Sequence, residues 1–109
     1  MILKGGDIMK NYLKIVGANI RKIRELRDMS QQQLAIKCGH TSDSARSWIS
    51  KIESGERSTH TDDIAIIANA LDVPPSILYV EFNGNNADFE KRMLAYIESL
   101  SKIETRLDA

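Results

Sequence analysis

The hydrophobic positions of the chain recur every three or four residues, which is the period of an α-helix, and no stretch alternates as a β-strand does. The first stretch predicts a helix over about 11–27. Its apolar stripe consists of Tyr12, Val16, Ile20 and Ile23. Asp28 suits the left-handed conformation that ends a helix. We therefore expect an all-α fold that opens with this helix.

A capping box follows at 30–33, where the Ser30 hydroxyl can accept from the third amide of a helix while Gln33 reaches back. The helix that begins there carries Leu34, Ala35 and Cys38 on one side and ends at Gly39. The next segment, 40–44, is polar and rich in side chains that prefer turns or helix starts. The sequence therefore predicts a second helix followed by a polar turn.

A third helix, over about 44–54 and closed by Gly55, has two different faces. The apolar face consists of Ala45, Trp48, Ile49 and Ile52. The opposite face is cationic and rich in hydroxyl groups and consists of Arg46, Ser47, Ser50, Lys51 and Ser54. Two short helices joined by a turn, the second with such a face, form a unit suited to the DNA major groove, which admits one helix. A solvated surface helix is the alternative.

The remaining pattern predicts three more elements. Thr61 can cap a fourth helix that ends at Asp72, and Pro74-Pro75 opens a short fifth helix. Asn and Gly fill 83–86, which we interpret as a linker between a domain at 1–82 and a last helix at 87–109.

The last helix has an apolar seam whose residues are four and three apart in turn, as in a two-stranded helical packing. The seam consists of Phe89, Met93, Tyr96, Leu100, Ile103 and Leu107, and Ile97 widens it. We expect the seam to pair with the same helix of a second copy, giving a homodimer. The alternatives are that the helix folds back over its own domain, or that it docks a protein partner.

Composition fits one compact domain, because the chain has 109 residues, of which 42% are hydrophobic. The formal net charge is zero, yet residues 10–57 hold ten basic and five acidic side chains, whereas residues 58–109 hold four basic and nine acidic. The basic half, 10–57, can therefore bind a polyanion while the acidic half, 58–109, does not contact it. The longest apolar run, 64–68, is too short to span a membrane, and the single Cys38 cannot form an internal disulfide. We expect a cytoplasmic protein.

Two other kinds of site find little support in the sequence. Cys38 and His40, with only His60 elsewhere, fall short of a four-ligand zinc site. His60 and Asp62 lack a nucleophile elbow or a Gly-rich phosphate loop beside them. We therefore expect no metal, no cofactor and no catalytic residues. Trp48 lies at the edge of the core in this pattern, which favours packing over stacking on bases.

Several blocks of the sequence stand in an order that resembles the phage-repressor-like (Xre-type) helix-turn-helix family. The blocks are 17–21, 23–24, 30–35, 49–55 and 71–73 with Leu78. The resemblance covers about 12–80. It implies a five-helix lambda-repressor-like DNA-binding domain, here followed by a C-terminal helix, in which the third helix reads the major groove. It also implies a symmetric dimer on a palindromic operator.

The resemblance also assigns roles by position. Gln31 corresponds to a phosphate-contacting glutamine, and Arg57 lies where a basic residue often meets phosphate. The recognition positions correspond to Arg46, Ser47, Ser50 and Lys51. Arg24 and Glu53 correspond to a structural ion pair between the first and third helices.

One feature departs from the family pattern. The family usually places the residue matching Ile49 six positions after the one matching Gly39, whereas here the separation is ten. Four residues are inserted in the turn between His40 and Ser44, so the recognition helix starts later, is longer, or is preceded by a loop that touches DNA.

The function that follows is sequence-specific binding of double-stranded DNA by a homodimeric transcriptional repressor, bacterial or phage-encoded and associated with the nucleoid. The alternative is an antitoxin-type protein-binding module that also regulates its own promoter.

Overall fold

The computed structural model describes residues 5–57, 59–81 and 86–108, and for residue 7, residues 86–87 and residues 100–108 it describes the backbone alone. Every regular element in this part of the chain is a helix, which confirms the predicted all-α fold. Its elements are α1 (Gly5–Leu26), α2 (Gln31–Lys37), α3 (Ala45–Glu53), α4 (Thr61–Leu71), a 3-10 helix (Pro75–Tyr79) and α5 (Asn86–Asp108). The first four helices and the 3-10 helix are the five helical elements expected of the domain, and α5 is the expected C-terminal helix.

α1 begins six residues earlier than the apolar pattern predicted, and its first turns are exposed. Tyr12 is 49% exposed, so its assignment to the buried stripe was wrong, whereas Val16, Ile20 and Ile23 are buried as predicted. The reason is tertiary. α1 meets the end of α3 at Lys14 and Gly17, and the described residues of α1 up to Tyr12 lie ahead of this crossing and are exposed.

The starts and stops of the helices follow the local sequence. At the capping box, Ser30 Oγ accepts from the Gln33 amide at 3.0 Å, and Gln33 Oε1 accepts from the Ser30 amide at 2.8 Å. Asp28 and Asp72 end α1 and α4 with φ values of 57° and 58°, in the left-handed region. Gly39 also has a positive φ, of 91°. These contacts and conformations confirm the predicted boundaries.

The start of α4 differs from the prediction by one residue. His60, not Thr61, occupies the N-cap position, its side chain makes no capping hydrogen bond, and Thr61 is the first residue of the helix. The extended backbone that precedes the helix ends at His60, where φ is −72° and ψ is 156°. The Thr61 side chain therefore lies beyond the position from which it could bond the first free amides.

One core joins α1, α2, α3, α4 and the 3-10 helix. Its fully buried side chains are Ile20, Ile23, Leu34, Ile49, Ile52, Ile67, Leu71, Ile77 and Leu78. The buried Asn19 side chain adds a polar tie, because its amide nitrogen donates to the carbonyl oxygens of Leu78 and Val80, both at 2.8 Å. These hydrogen bonds fix the 3-10 helix against α1. The buried side chains of α3 pack against the same core.

α5 folds back onto this core in its first half. Phe89 and Met93 are each only 2% exposed, and Tyr96 and Ile97 are partly buried against the same cluster. The Lys22 Nζ lies 4.6 Å from the centre of the Phe89 ring, and the Tyr96 hydroxyl lies 3.4 Å from Ser76 Oγ on the 3-10 helix. Phe89 and Met93 therefore pack in the core of their own chain, as the fold-back interpretation describes.

The second half of the seam, Leu100, Ile103 and Leu107, lies outside the residues whose side chains are described. Within the predicted linker, residues 83–85 also lie outside the described residues, and Asn86 is the first residue of α5. None of the helices in the described ranges combines the length and hydrophobicity that crossing a bilayer requires.

Candidate nucleic-acid interface

α3 presents the two faces that its sequence predicted. Ala45, Trp48, Ile49 and Ile52 are buried, and Ile49 is completely inaccessible to solvent. The polar face is exposed along its length and consists of Arg46, Ser47, Ser50, Lys51 and Ser54. Its only charges are positive, and the serines are short enough to let another surface approach the helix backbone. This face can donate hydrogen bonds to base edges or phosphates.

A bidentate ion pair fixes the orientation of α3 relative to α1. Arg24 Nε donates to Glu53 Oε2 at 2.7 Å, and Arg24 Nη2 donates to Glu53 Oε1 at 3.0 Å. The remaining nitrogen, Nη1, donates to the Met29 carbonyl oxygen at 2.8 Å. The Glu53 side chain is 4% exposed, and its hydrogen bonds raise the pKa of Arg24 above its ordinary value. The ion pair between Arg24 and Glu53 that the resemblance implies is therefore present. Because it is bidentate and largely buried, it joins the two helices.

Gln31 is part of the same network. Its side-chain nitrogen donates to Glu53 Oε1 at 3.2 Å, and the residue is half-buried. It lies in a cleft at the start of α2 that is also lined by Ser30, Gln32 and Arg46. The structure therefore brings Gln31 and Arg46 together at one edge of the polar face. Gln32 was not singled out from sequence, although its position beside Gln31 at the helix start was a usable signal.

A second cleft borders the opposite edge of the polar face. It is lined by His40, Ser44, Ser47, Trp48, Lys51, Arg57 and Asp63. The His40 and Trp48 rings lie 3.9 Å apart between centroids, at 32°. Trp48 is 7% exposed, as expected for a packing residue, and its ring packs against the imidazole of His40. The sequence placed His40 in the inserted turn and beside Cys38 as an incomplete metal site, but no local pattern pairs it with Trp48.

Ser54 and Arg57 follow the last turn of α3. The Ser54 hydroxyl donates to the Lys51 carbonyl oxygen at 3.0 Å, and the Arg57 amide donates to the same oxygen at 3.3 Å. Ser54 thus uses its proton within the chain and keeps an oxygen that can accept. The Arg57 side chain is exposed and lies in the same cleft as Lys51.

The turn between α2 and α3 runs over 38–44, and its residues after Cys38 are exposed. Ser42 and Ser44 share a hydrogen bond between their hydroxyls at 3.0 Å, and the Ser42 carbonyl accepts from the Ala45 amide at 3.1 Å. α3 itself has nine residues. The predicted insertion therefore forms a loop ahead of the recognition helix and does not lengthen the helix.

Cys38 ends α2 and is half-buried. Burial, with a smaller contribution from the negative charge of Asp63, raises the pKa of its thiol to about 11. The thiol therefore stays protonated at neutral pH and is a poor nucleophile. Among the described residues, no three His, Cys, Asp or Glu side chains are grouped closely enough to hold a metal ion.

Comparisons with known proteins agree with this geometry. A sequence model of the helix-turn-helix family matches residues 20–78. Control protein C.BamHI of Bacillus amyloliquefaciens is 39% identical over 72 residues, covering 64% of this chain and 84% of that protein. The crystal structure of the restriction-modification controller protein C.AhdI from Aeromonas hydrophila is similar with a TM-score of 0.56 and 31% identity, covering 62% of this chain and 96% of that chain. This chain belongs to the Xre-like helix-turn-helix family of DNA-binding transcription regulators.

Proposed function

We propose that this protein is a homodimeric transcriptional repressor that binds a palindromic operator, and that it is the controller of a restriction-modification gene cluster. The observation that carries the proposal is the exposed face of α3, cationic and free of acidic side chains, with a cleft at each edge. The similarity to a control protein and to a restriction-modification controller protein supports the choice of regulated genes.

In the proposed mechanism, α3 enters the major groove of DNA. The two edges of its polar face then contact the sugar-phosphate backbones on the two sides of the groove. Ser47 and Ser50 lie along the middle of the face, where they reach base edges, and Arg46 and Lys51 lie on either side. Gln31 and Arg57 contact phosphates, which fix the register of the helix in the groove. The proposal assigns no catalytic residue, and it places the protein in the cytoplasm with the nucleoid.

The test is binding to the DNA that flanks this gene, searched for an inverted repeat with half-sites about one helical turn apart. Arg46→Ala and Lys51→Ala are expected to weaken binding about 5- to 150-fold if they donate to bases, since a good base contact contributes about 1–3 kcal/mol. If the two side chains contact phosphates instead, each substitution should weaken binding to every sequence tested. It should also reduce the slope of log affinity against log salt concentration by about one. Their melting temperatures should match that of the unmodified protein.

Lys91→Ala is the matched control, because Lys91 is an exposed lysine on α5, distant in sequence from the polar face of α3. It should bind as the unmodified protein does. Equal affinity for the inverted repeat and for random DNA at moderate salt contradicts the proposal. The antitoxin-type module is the alternative function, and a toxin gene beside this one favours it.

A further inference from the structure

The loop that precedes the recognition helix carries an ordered imidazole at its exposed surface. His40 is exposed, yet its ring is held at 3.9 Å from that of the buried Trp48. The loop around it is fixed at its other end, where the Ser42 and Ser44 hydroxyls are hydrogen-bonded and the Ser42 carbonyl accepts from α3. A histidine held in this way loses little side-chain freedom when it binds a ligand.

The surroundings of His40 suit an anion. On the side of the second cleft it faces Lys51 from α3, Arg57 from the segment after α3, and Asp63 from α4. On the other side, a cleft against α2 adds Arg46 from α3 and Asp43 from the loop itself. Three cations therefore oppose two carboxylates around His40. Ser44 and Ser47 add hydroxyl donors to the second cleft.

We propose that His40 and Ser44 form, together with Lys51 and Arg57, a binding site for one phosphate of the DNA backbone. The inference rests on the proposed function, since it places α3 in the groove. An imidazole N–H and a hydroxyl group that donate to a phosphate add to the affinity without regard to base sequence.

The ligand is a duplex phosphate because of where the site lies. Lys51 belongs both to the polar face of α3 and to the second cleft, so a duplex seated on that face runs its backbone past the cleft. The loop residues that the family pattern lacks are therefore next to the backbone and not on the far side of the domain. They extend the contact surface at the edge of the recognition helix.

The experiment compares affinity for two duplexes, the inverted repeat found beside the gene and a random sequence, over a range of salt. The variants are His40→Phe, which keeps an aromatic ring on Trp48 and removes both ring nitrogens, and Ser44→Ala. His60→Phe, at the chain's other histidine, is the matched control, since His60 is exposed and does not line this cleft. Melting temperatures confirm that each variant is folded.

His60→Phe should bind each duplex with the affinity of the unmodified protein. His40→Phe and Ser44→Ala should bind both duplexes about three- to tenfold more weakly, because each loses a donor to the phosphate and no base contact. An affinity of His40→Phe equal to that of the unmodified protein overturns the inference while leaving the proposed function in place. Absence of any preference for the repeat by the unmodified protein overturns the proposed function instead.

Discussion

Arg24 is the residue on which the position of the recognition helix most depends. Its guanidinium makes two hydrogen bonds to Glu53 on α3 and one to the Met29 carbonyl ahead of α2, so it joins three parts of the chain. Glu53 also accepts from Gln31 at the start of α2. Every hydrogen bond in this set involves a charged group, and Glu53 is almost completely enclosed. A buried ion pair of this kind adds little net stability when it is intact. Removal of one partner lowers the free energy of unfolding strongly, because the other charge stays buried without its counterion.

Replacement of Arg24 tests this account. Arg24→Met should lower the free energy of unfolding by about 3–5 kcal/mol, because it leaves the Glu53 carboxylate buried without its cation. Urea unfolding measures the loss. Arg21→Met is the control, since Arg21 pairs with Glu25 at 3.1 Å on an exposed face of the same helix, where such a pair contributes less than about 1 kcal/mol. Similar losses for the two variants contradict the role given to Arg24.

Single residues also show where sequence patterns stop being informative. Tyr12 has the correct helical spacing for the stripe of α1, but spacing does not reveal how far the neighbouring helices reach, and the residue is exposed. His40 lies eight positions from Trp48, in a different element, and only the fold of the loop puts their rings together. In contrast, Ser30 and Asp28 act on backbone groups within a few residues, so their roles were predictable.

At the scale of elements, the closest packing is the crossing of α1 over the end of α3. A Cβ built on Gly17 would lie 2.6 Å from the Glu53 carbonyl oxygen and closer still to that of Ile52. Both obstacles are backbone atoms at the end of a helix, so a side chain cannot be accommodated by a change of rotamer. Gly17 therefore sets the distance between the two helices.

Gly17→Ala is expected to destabilise the protein by about 1–3 kcal/mol, the usual cost of overpacking, and to weaken DNA binding because α3 must shift. Gly6→Ala is the matched control in the same helix, since nothing lies within 4 Å of the added Cβ there. It should be neutral or stabilise by up to about 1 kcal/mol, as removal of a helical glycine does. Thermal melting of the two variants gives the comparison. A tolerated Gly17→Ala contradicts the close approach.

At the scale of the whole molecule, the two halves of the α5 seam are expected to differ in role. Phe89 and Met93 complete the chain's own core, so they stabilise the single subunit. The heptad pattern continues through Leu100, Ile103 and Leu107, and these residues are the ones that we expect to pair with a second copy. In the proposed dimer, this division lets one helix close its own domain and also join it to a second copy.

Two substitutions separate these roles. Phe89→Ala should cost about 3–5 kcal/mol of unfolding free energy, as large core truncations do. Ile103→Asp should convert a dimer to a monomer in sedimentation equilibrium and make the melting temperature independent of protein concentration. Thr105→Asp, outside the seam in the heptad pattern, is the control and should stay dimeric. A monomeric unmodified protein at micromolar concentration contradicts the pairing.

The sequence by itself determined the order of the helices, the capping box of α2, the left-handed ends of α1 and α4, the two faces of α3 and the family, because each depends on residues within a few positions or on motifs in a fixed order. Only the tertiary structure decided that Phe89 and Met93 enter the chain's own core, that Gln31 joins the ion pair, and that His40 rests on Trp48 beside Lys51. The physical reason is range: hydrogen bonds within a turn and helical periodicity are local. Which apolar face meets which neighbour depends on the arrangement of the whole chain.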